Sequence, residues 1–218
     1  MRGLSSSEDL AEAVRAKGVR DERILAAMRR IPRAEFVPAE RAGAAAIDEP
    51  VPITHNQVST QPWLSARMFE GLRLSGDEHV LEIGTGSGFA TALLSQLVSR
   101  VVSIDRWQDM IDRVERTLER NGIGNVTLLS GDGSCGVPEH APFDAIVVSA
   151  AYPSVPRPLI EQLRLGGRLV QPIGSGGYEE VTVFERTGND MALREHLVPA
   201  RFVPLYGRCG YPEGGDQP

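Results

Sequence analysis

Apolar and polar positions along the chain predict a helical N-terminal part followed by alternating strands and helices. Before residue 75, apolar side chains recur at helical spacing in three stretches, near 5–18, near 21–31 and from Gln61 onward. From residue 79, short apolar runs alternate with amphipathic stretches, which is typical of an α/β fold. Strands are predicted near 79–83, 100–104, 125–129, 143–149, 167–172, 179–185 and 193–203, with helices near 88–98, 107–121 and 156–164.

The apolar runs also indicate how the strands pair. The run from Ala145 to Val148 is apolar on both faces, as expected for a parallel strand covered by helices on both sides. Glycine-rich turns at 174–177 and 188–190 separate the last three strands and favour antiparallel pairing there. The expected architecture is a mostly parallel seven-stranded sheet with helices on both faces and an N-terminal helical extension.

Polar residues predict where the first helices begin. Ser5 and Glu8 have the spacing of a capping box. Asp21 is the expected N-cap of the second helix, and Thr60 is the expected N-cap of the third, with Pro62 in its first turn. Each of these residue types supplies a side-chain oxygen, or a preset backbone angle, that suits the first turn of a helix.

Residues 33–60 show no clear periodicity, and long irregular segments of this kind are usually functional or disordered. We therefore expect residues 1–75 to form a helical lid and substrate loop, and residues 76–218 to form a core, as parts of one domain. The tail from Pro212 to Pro218 is expected to be frayed.

A glycine-rich turn follows the first strand of the core. Glu82 begins a pattern in which glycines stand at Gly84, Gly86 and Gly88. This pattern resembles the S-adenosylmethionine site of Rossmann-like class I methyltransferases. A dinucleotide site would have its third glycine at position 89, which is Phe89 here, so an NAD-dependent dehydrogenase is disfavoured.

Two acidic residues stand where later strands of the core end. Asp105 ends the second strand, where it can accept hydrogen bonds from ribose hydroxyls, although it could instead cap the next helix. Asp132, between Gly131 and Gly133, follows the third strand and could accept from an adenine amino group, although a turn without function has the same sequence. Because the carboxyl ends of parallel strands meet at one edge, the two motifs together predict a cofactor site.

Composition and charge limit the partners. With 23 Lys and Arg against 29 Asp and Glu, the net charge is −6, which argues against a phosphate-binding surface as the main function. No run approaches the roughly 18 apolar residues of a membrane span. We expect no nucleic-acid partner, no membrane partner and a monomer.

The cysteines and the N-terminus bear on the compartment. Cys135 and Cys209 are isolated and lack metal-ligand spacing, so we expect no metal and two reduced thiols in a cytoplasmic protein, not a disulfide. The residues from Met1 to Ser5 lack the apolar stretch of a signal peptide, which supports the same location.

Longer segments make the resemblance specific. They are residues 36–38, 57–62, the glycine turn, 131–133, 142–144, 162–174 and 202–205, in that order along nearly the whole chain. On these segments the chain resembles a protein-L-isoaspartate O-methyltransferase. The resemblance implies that S-adenosyl-L-methionine is converted to S-adenosyl-L-homocysteine, without a metal, as isoaspartyl residues of damaged proteins or peptides are methylated for repair. The expected cofactor-binding residues are Gln57, Glu82, Gly84, Thr85, Gly86, Gly88, Asp105, Arg106, Asp132 and Gly133.

The chemistry of a carboxylate acceptor agrees with this. A carboxylate with a pKa near 4 is ionised at neutral pH and needs no general base, so catalysis depends mainly on positioning. Thr60 is the expected catalytic residue, and Ser59 offers a second hydroxyl. In the family the preceding loop is typically Ile-Gly-x-Gly-Gln, whereas residues 53–57 read Ile-Thr-His-Asn-Gln. His55 in this loop could contact a substrate, or it could be solvated or capping.

Two alternatives remain open at this point. The altered loop fits a tailoring O-methyltransferase that acts on the carboxylate of a specific peptide or metabolite. A protein that binds the cofactor without catalysis, in which Thr60 only caps a helix, would have the same glycine turn.

Overall fold

The computed structural model describes residues 7–175 and 177–212 of the chain. Within these ranges the strands are β1 (Val51–Pro52), β2 (Val58–Ser59), β3 (His79–Ile83), β4 (Arg100–Asp105), β5 (Val126–Ser130), β6 (Phe143–Val148), β7 (Leu163–Ile173), β8 (Glu179–Thr187) and β9 (Asp190–Ala200). The helices are α1 (Ser7–Ala16), α2 (Glu22–Arg30), α3 (Pro62–Leu72), α4 (Phe89–Ser95), α5 (Gln108–Arg120) and α6 (Arg157–Gln162).

The main sheet has seven strands in the order β5-β4-β3-β6-β7-β8-β9. Strands β3 to β7 are parallel, whereas β8 pairs antiparallel with both β7 and β9. The predicted mostly parallel sheet with an antiparallel end is therefore confirmed. The strand order reverses at β3, which lies between β4 and β6, and open α/β sheets bind ligands outside the carboxyl ends of the strands at such a point.

The strands bury side chains on both faces, as the continuous apolar runs predicted. Val80 and Val101 join a core that contains side chains of the helices α1 to α5. Their neighbours Leu81 and Val102 join a second core on the other face, to which α6 contributes Leu159. The first core includes residues of the N-terminal helices, so these helices pack with the sheet itself. The division at residue 75 stays a prediction.

Four predicted boundaries are wrong by three or more residues. Helix α4 ends at Ser95 and not at 98, and strand β9 ends at Ala200 and not at 203. Strand β7 begins at Leu163 and not at 167, because its pairing with β6 starts at Phe143 and then shifts register before Ala145. Strand β9 begins at Asp190 and not at 193, because the turn from β8 is tight and Asp190 already pairs with Thr187.

The helix caps were predicted with mixed success. The side chain of Asp21 accepts a hydrogen bond from the backbone N–H of Arg23, so this N-cap is confirmed. The predicted Thr60 cap is wrong, because the N-cap position of α3 is Gln61, whose side chain makes no cap hydrogen bond. The capping box at Ser5 and the tail beyond Pro212 lie outside the described residues.

The segment 33–60 is irregular, as predicted, but it is tied to the body of the protein. Besides short 3-10 turns it contains the hairpin of β1 and β2. The buried guanidinium of Arg33 donates to the carbonyl oxygens of Ile47 at 2.9 Å and Glu49 at 2.8 Å. Burial lowers the pKa of Arg33 to about 10. These contacts hold the chain that leads into the hairpin.

Candidate active site

A cavity of about 460 Å³ lies at the carboxyl ends of the central strands. Its walls are the glycine turn after β3, the end of β4, the turn after β5, the loop that enters α3, and the C-terminal segment 203–206. This is the edge of the sheet where the strand order reverses. The fold therefore provides a cavity at the position predicted for a ligand.

Ten of the twelve predicted site residues line this cavity: Gln57, Ser59, Thr60, Gly84, Thr85, Gly86, Asp105, Arg106, Asp132 and Gly133. The remaining two, Glu82 and Gly88, do not line it. Residues from four separate segments of the chain are thus brought together as the sequence predicted.

Two glycines of the turn have different roles. Gly84 has φ 95°, and a Cβ there would lie 3.2 Å from the Cβ of Ser149 at the end of β6. Gly88 has φ 83°, and a Cβ there would lie 2.5 Å from Cγ1 of Val114 in α5. Gly84 therefore shapes the cavity wall, whereas Gly88 allows α5 to pack closely against the start of α4. This explains why Gly88 does not reach the cavity.

Asp105 has acceptor capacity to spare. Its Oδ2 accepts a hydrogen bond from the backbone N–H of Gly86 at 2.8 Å, and its Oδ1 accepts from the N–H of Trp107 at 3.3 Å. An ionised carboxylate has about four acceptor positions. The two that remain suit a pair of ribose hydroxyls, so the residue fits the predicted role.

Asp132 is more fully engaged. Its Oδ1 accepts from the N–H and the hydroxyl of Ser134 at 2.9 and 2.6 Å, and its Oδ2 accepts from the N–H of Arg208 at 2.8 Å. Burial opposes ionisation of Asp132, but the hydrogen bonds from Ser134 and Arg208 outweigh it and lower the pKa. About one acceptor position of the carboxylate is left for a ligand.

A disulfide joins Cys135 to Cys209, so the prediction of two reduced thiols is wrong. The two residues are 74 positions apart and meet only because the C-terminal segment folds back over the turn after β5. The N–H of Cys209 also donates to the hydroxyl of Ser134 at 3.0 Å. The bridge thereby fixes the segment that supplies Leu205 and Tyr206 to the cavity wall.

Glu82 lies beneath the glycine turn. It is 1% exposed and accepts hydrogen bonds from the hydroxyls of Thr91 at 2.5 Å and Ser103 at 2.6 Å. The Ser103 hydroxyl also contacts that of Thr85, which lines the cavity, at 2.6 Å. Burial raises the pKa of Glu82 to about 7. Glu82 therefore supports the glycine turn from below, and the prediction that it contacts the cofactor directly does not fit this geometry.

The loop that enters α3 supplies the hydroxyls of the site. Ser59 is buried, and its hydroxyl lies 2.9 Å from that of Ser87 in the glycine turn. Thr60 lines the cavity and is partly exposed. Gln57 also lines it, while its side-chain amide donates to the carbonyl of His55 at 3.1 Å. The contact to Ser87, which sequence reasoning missed, joins the loop to the turn.

His55 does not line the cavity, but it touches a residue that does. Its ring stacks on that of Trp107, with centroids 3.9 Å apart and an interplanar angle of 2°. Its Nε2 lies 2.9 and 3.0 Å from the two carboxylate oxygens of Asp109. The hydrogen bond from His55 lowers the pKa of Asp109. His55 is thus held by intramolecular contacts, and the prediction that it contacts a substrate stays a prediction.

Arg106 connects the end of β4 to the C-terminal segment. Its guanidinium carbon lies 5.3 Å from the centroid of the Trp107 ring and 5.6 Å from that of Tyr206. Both distances are within the range of cation–π attraction. In the sequence, the only signals for this aromatic wall are the position of Trp107 two residues after Asp105 and that of Tyr206 directly after the segment 202–205.

Residues 7–175 and 177–212 contain no group of three or more His, Cys, Asp or Glu side chains arranged to hold a metal ion. No helix in these ranges is both long and apolar enough to cross a bilayer.

Comparison with known proteins places this geometry in a family. Residues 5–210 match the family model described as "Protein-L-isoaspartate(D-aspartate) O-methyltransferase (PCMT)". The chain belongs to the protein-L-isoaspartate O-methyltransferase family. Protein-L-isoaspartate O-methyltransferase 2 of Pelobacter propionicus is 44% identical over 203 residues, which cover 93% of this chain and 90% of the relative. The protein-L-isoaspartate O-methyltransferase of Methanoculleus marisnigri is 44% identical over 209 residues, covering 94% and 93%.

Solved structures agree with the family assignment. A protein-L-isoaspartate O-methyltransferase superimposes with a TM-score of 0.82 at 30% identity, covering 94% of this chain and 67% of that one. A beta-aspartate methyltransferase (PCMT) of Plasmodium falciparum, in complex with S-adenosyl-L-homocysteine, gives a TM-score of 0.79 at 20% identity, covering 92% and 98%. The second likeness shows the fold alone. The Rossmann-like methyltransferase fold predicted from the glycine turn is confirmed.

Proposed function

We propose that this protein transfers the methyl group of S-adenosyl-L-methionine to the free carboxylate of L-isoaspartyl residues in damaged proteins or peptides, as a step of protein repair. The observation that supports this most is the set of residues that line the cavity, in a chain that belongs to this family. It combines the glycine turn and Asp105 on one side with the hydroxyls of Ser59 and Thr60 on the other.

The residues of the cavity fit the cofactor. Gly84 lets the turn pass close to Ser149 in the cavity wall, and Asp105 has two acceptor positions for the ribose hydroxyls. Thr85, Gly133 and Arg106 complete this side of the cavity. When bound, S-adenosyl-L-methionine supplies an electrophilic methyl group on its sulfonium.

The acceptor end needs positioning. An ionised carboxylate attacks without giving up a proton, so no general base has to be present. The hydroxyl of Thr60 can donate a hydrogen bond to one oxygen of the substrate carboxylate. This directs the other oxygen toward the methyl group of S-adenosyl-L-methionine. Ser59 holds the loop to Ser87 at 2.9 Å and thereby fixes the position of its neighbour Thr60. Fixed geometry of this kind replaces acid–base chemistry.

The decisive experiment compares two synthetic peptides that differ only in an isoaspartyl or an ordinary aspartyl residue. Formation of S-adenosyl-L-homocysteine with the isoaspartyl peptide alone is expected. Thr60→Ala should lower the turnover of the isoaspartyl peptide by about tenfold or more, because the peptide carboxylate loses the hydroxyl that orients it. Thr60→Ser keeps the hydroxyl and is the matched control. Full turnover by the alanine variant would remove Thr60 from the mechanism.

A tailoring O-methyltransferase for a specific peptide or metabolite carboxylate is the second candidate. It is favoured by the loop at residues 54–56, where threonine, histidine and asparagine stand in place of the family's glycine-containing sequence. Equal rates with both peptides, or turnover of neither, would favour it over repair. If the wild-type protein bound S-adenosyl-L-homocysteine and transferred no methyl group to any carboxylate, a cofactor-binding protein without catalysis would be favoured.

A monomeric state, the absence of nucleic-acid and membrane partners, and a cytoplasmic location stay predictions. The cytoplasmic prediction loses one of its grounds, because Cys135 and Cys209 are bonded and disulfides are rare in the cytosol. Sedimentation of the purified protein tests the monomer. Fractionation of cells that express the intact gene tests the location.

A further inference from the structure

A contact joins two segments beside the cavity, close to Asp105. One segment contains His55, which lies two residues before Gln57. Gln57 lines the cavity. The other segment contains Trp107, which lines the cavity, and Asp109 in the first turn of α5. The stack of His55 on Trp107 and its hydrogen bond to Asp109 join these segments, which are about 50 residues apart in the chain.

The backbone of the loop is unusual at two residues. His55 and Asn56 have φ values of 58° and 55°, in the left-handed region that residues other than glycine adopt uncommonly and that asparagine and histidine tolerate best. Strained conformations persist only where surrounding contacts hold them. At His55 these contacts are the ring stack, the carboxylate of Asp109 and the amide of Gln57 on the carbonyl oxygen.

The contact also reaches the residue assigned to the ribose. The N–H of Trp107 donates to Asp105, so the stacked indole belongs to the residue that helps to orient this carboxylate. Gln57 and Thr60 belong to the same loop as His55. Movement of this loop away from Trp107 would displace both residues and would uncover the side of the cavity next to Asp105.

We propose that His55 is a positioning residue, which holds the loop 53–60 closed over the cofactor by means of a latch formed with Trp107 and Asp109. The latch proposal rests on the proposed function, in which the cavity holds S-adenosyl-L-methionine. A preformed loop binds the cofactor without first being ordered, so the latch raises affinity. Once saturating cofactor holds the loop closed, the latch has no further effect on the transfer, because none of its three side chains belongs to the acceptor end.

The test is a double-mutant cycle of His55→Ala and Asp109→Ala, read by calorimetric titration with S-adenosyl-L-homocysteine. His55→Ala should raise the dissociation constant about fivefold, and Asp109→Ala, which leaves the stack on Trp107 in place, should raise it less. The double variant should be no weaker than His55→Ala, because Asp109 acts only through His55. His55→Phe, which keeps the stack, should recover part of the affinity. Asp112→Ala, on the same helix, and His140→Ala, outside the cavity, should bind like the wild type.

Turnover and fluorescence separate the latch from a general effect on stability. The KM for the donor should rise with the dissociation constant, while kcat at saturating donor stays within about twofold. In a Trp63→Phe background Trp107 is the remaining tryptophan, and acrylamide should quench its emission more strongly after His55→Ala but not after His140→Ala.

Unchanged affinity of His55→Ala, additive losses in the cycle, or unchanged quenching would each overturn the latch. The titration needs no methyl acceptor, so a protein that binds S-adenosyl-L-homocysteine with the expected coupling but ignores isoaspartyl peptides would refute repair and support the latch. Absence of binding by the wild-type protein would overturn both.

Discussion

The carboxylate of Asp48 accepts a hydrogen bond from the backbone N–H of Trp63 at 2.8 Å, and thus caps a helix that begins 14 residues later in the chain. Its other oxygen accepts from Lys17 at 2.6 Å and from the Gln61 amide at 3.0 Å. One buried carboxylate therefore connects the end of α1, the irregular segment and the start of α3. The loop that bears Thr60 is held between these points.

Replacing Asp48 by alanine should destabilise the protein by about 2 kcal/mol, through loss of the cap and of its two side-chain donors. Asp48→Asn keeps an oxygen for Trp63 and should cost less. Urea unfolding measures the difference. The exposed Asp77→Ala is the control and should stay within about 0.5 kcal/mol of the wild type. Equal stabilities of the alanine variants at Asp48 and Asp77 would contradict this account of the cap.

Glu82 should make stability depend on pH in a direction opposite to that of a paired carboxylate. Burial raises its pKa from 4.5 to about 7, so the folded protein holds a proton that the unfolded chain releases. Folding then loses free energy as the pH rises from about 4.5 through 7. Between pH 4 and pH 9 the stability of Glu82→Gln relative to wild type should improve by about 3 kcal/mol.

Urea unfolding of both proteins across this pH range isolates the contribution of Glu82, because other groups titrate alike in each. Glu119→Gln, at an exposed position of α5, should show no such trend. A constant difference between Glu82→Gln and wild type would mean that Glu82 ionises normally in the folded state.

The disulfide should stabilise the fold chiefly by restricting the unfolded chain. For a separation of 74 residues, the loop-closure estimate is about 4 kcal/mol. The Cys135→Ser, Cys209→Ser double variant should lose roughly this amount, and reductant should lower the melting temperature of the wild type alone. The double variant treated with reductant is the control, because it has no disulfide to reduce. A wild type insensitive to reductant and as stable as the double variant would show that the thiols are free in solution.

Asp105→Ala should weaken binding of S-adenosyl-L-homocysteine by about tenfold or more, because a charged hydrogen bond contributes about 1.5–3 kcal/mol and 1.4 kcal/mol is one decade. Asp105→Asn keeps one acceptor oxygen and should lose less. Calorimetric titration compares both with Asp112→Asn, which should bind normally. If Asp105→Ala bound the product like the wild type, the ribose assignment would be wrong.

Much of the site could be predicted because its signals are local. The run into Gly84, the helix after it and the strand that ends on Asp105 are contiguous, and the Gly131–Gly133 turn follows the next strand directly. Parallel strands bring their carboxyl ends to one edge, so the two turns and Asp105 meet without any further information. Ten of the twelve predicted residues accordingly line one cavity.

The errors concern contacts between distant segments. Thr60 has a good capping side chain, yet Asp48 reaches α3 first because Arg33 and Lys17 position its loop. Glu82 lies in the motif, but the alternation of β3 turns it into the core. No spacing rule connects Asp48 with the start of α3, and none shows that Glu82 lies in the core.

By itself, the sequence determined the order of strands and helices, the glycine turn and the acidic residues at the ends of the strands, since periodicity and turn chemistry are properties of neighbouring residues. Only the tertiary structure decided that Cys135 meets Cys209, that His55 stacks on Trp107, and that Glu82 supports the turn from below. These contacts depend on how far apart the sheet and its connections place each segment, and that distance is set by the packing of the whole chain.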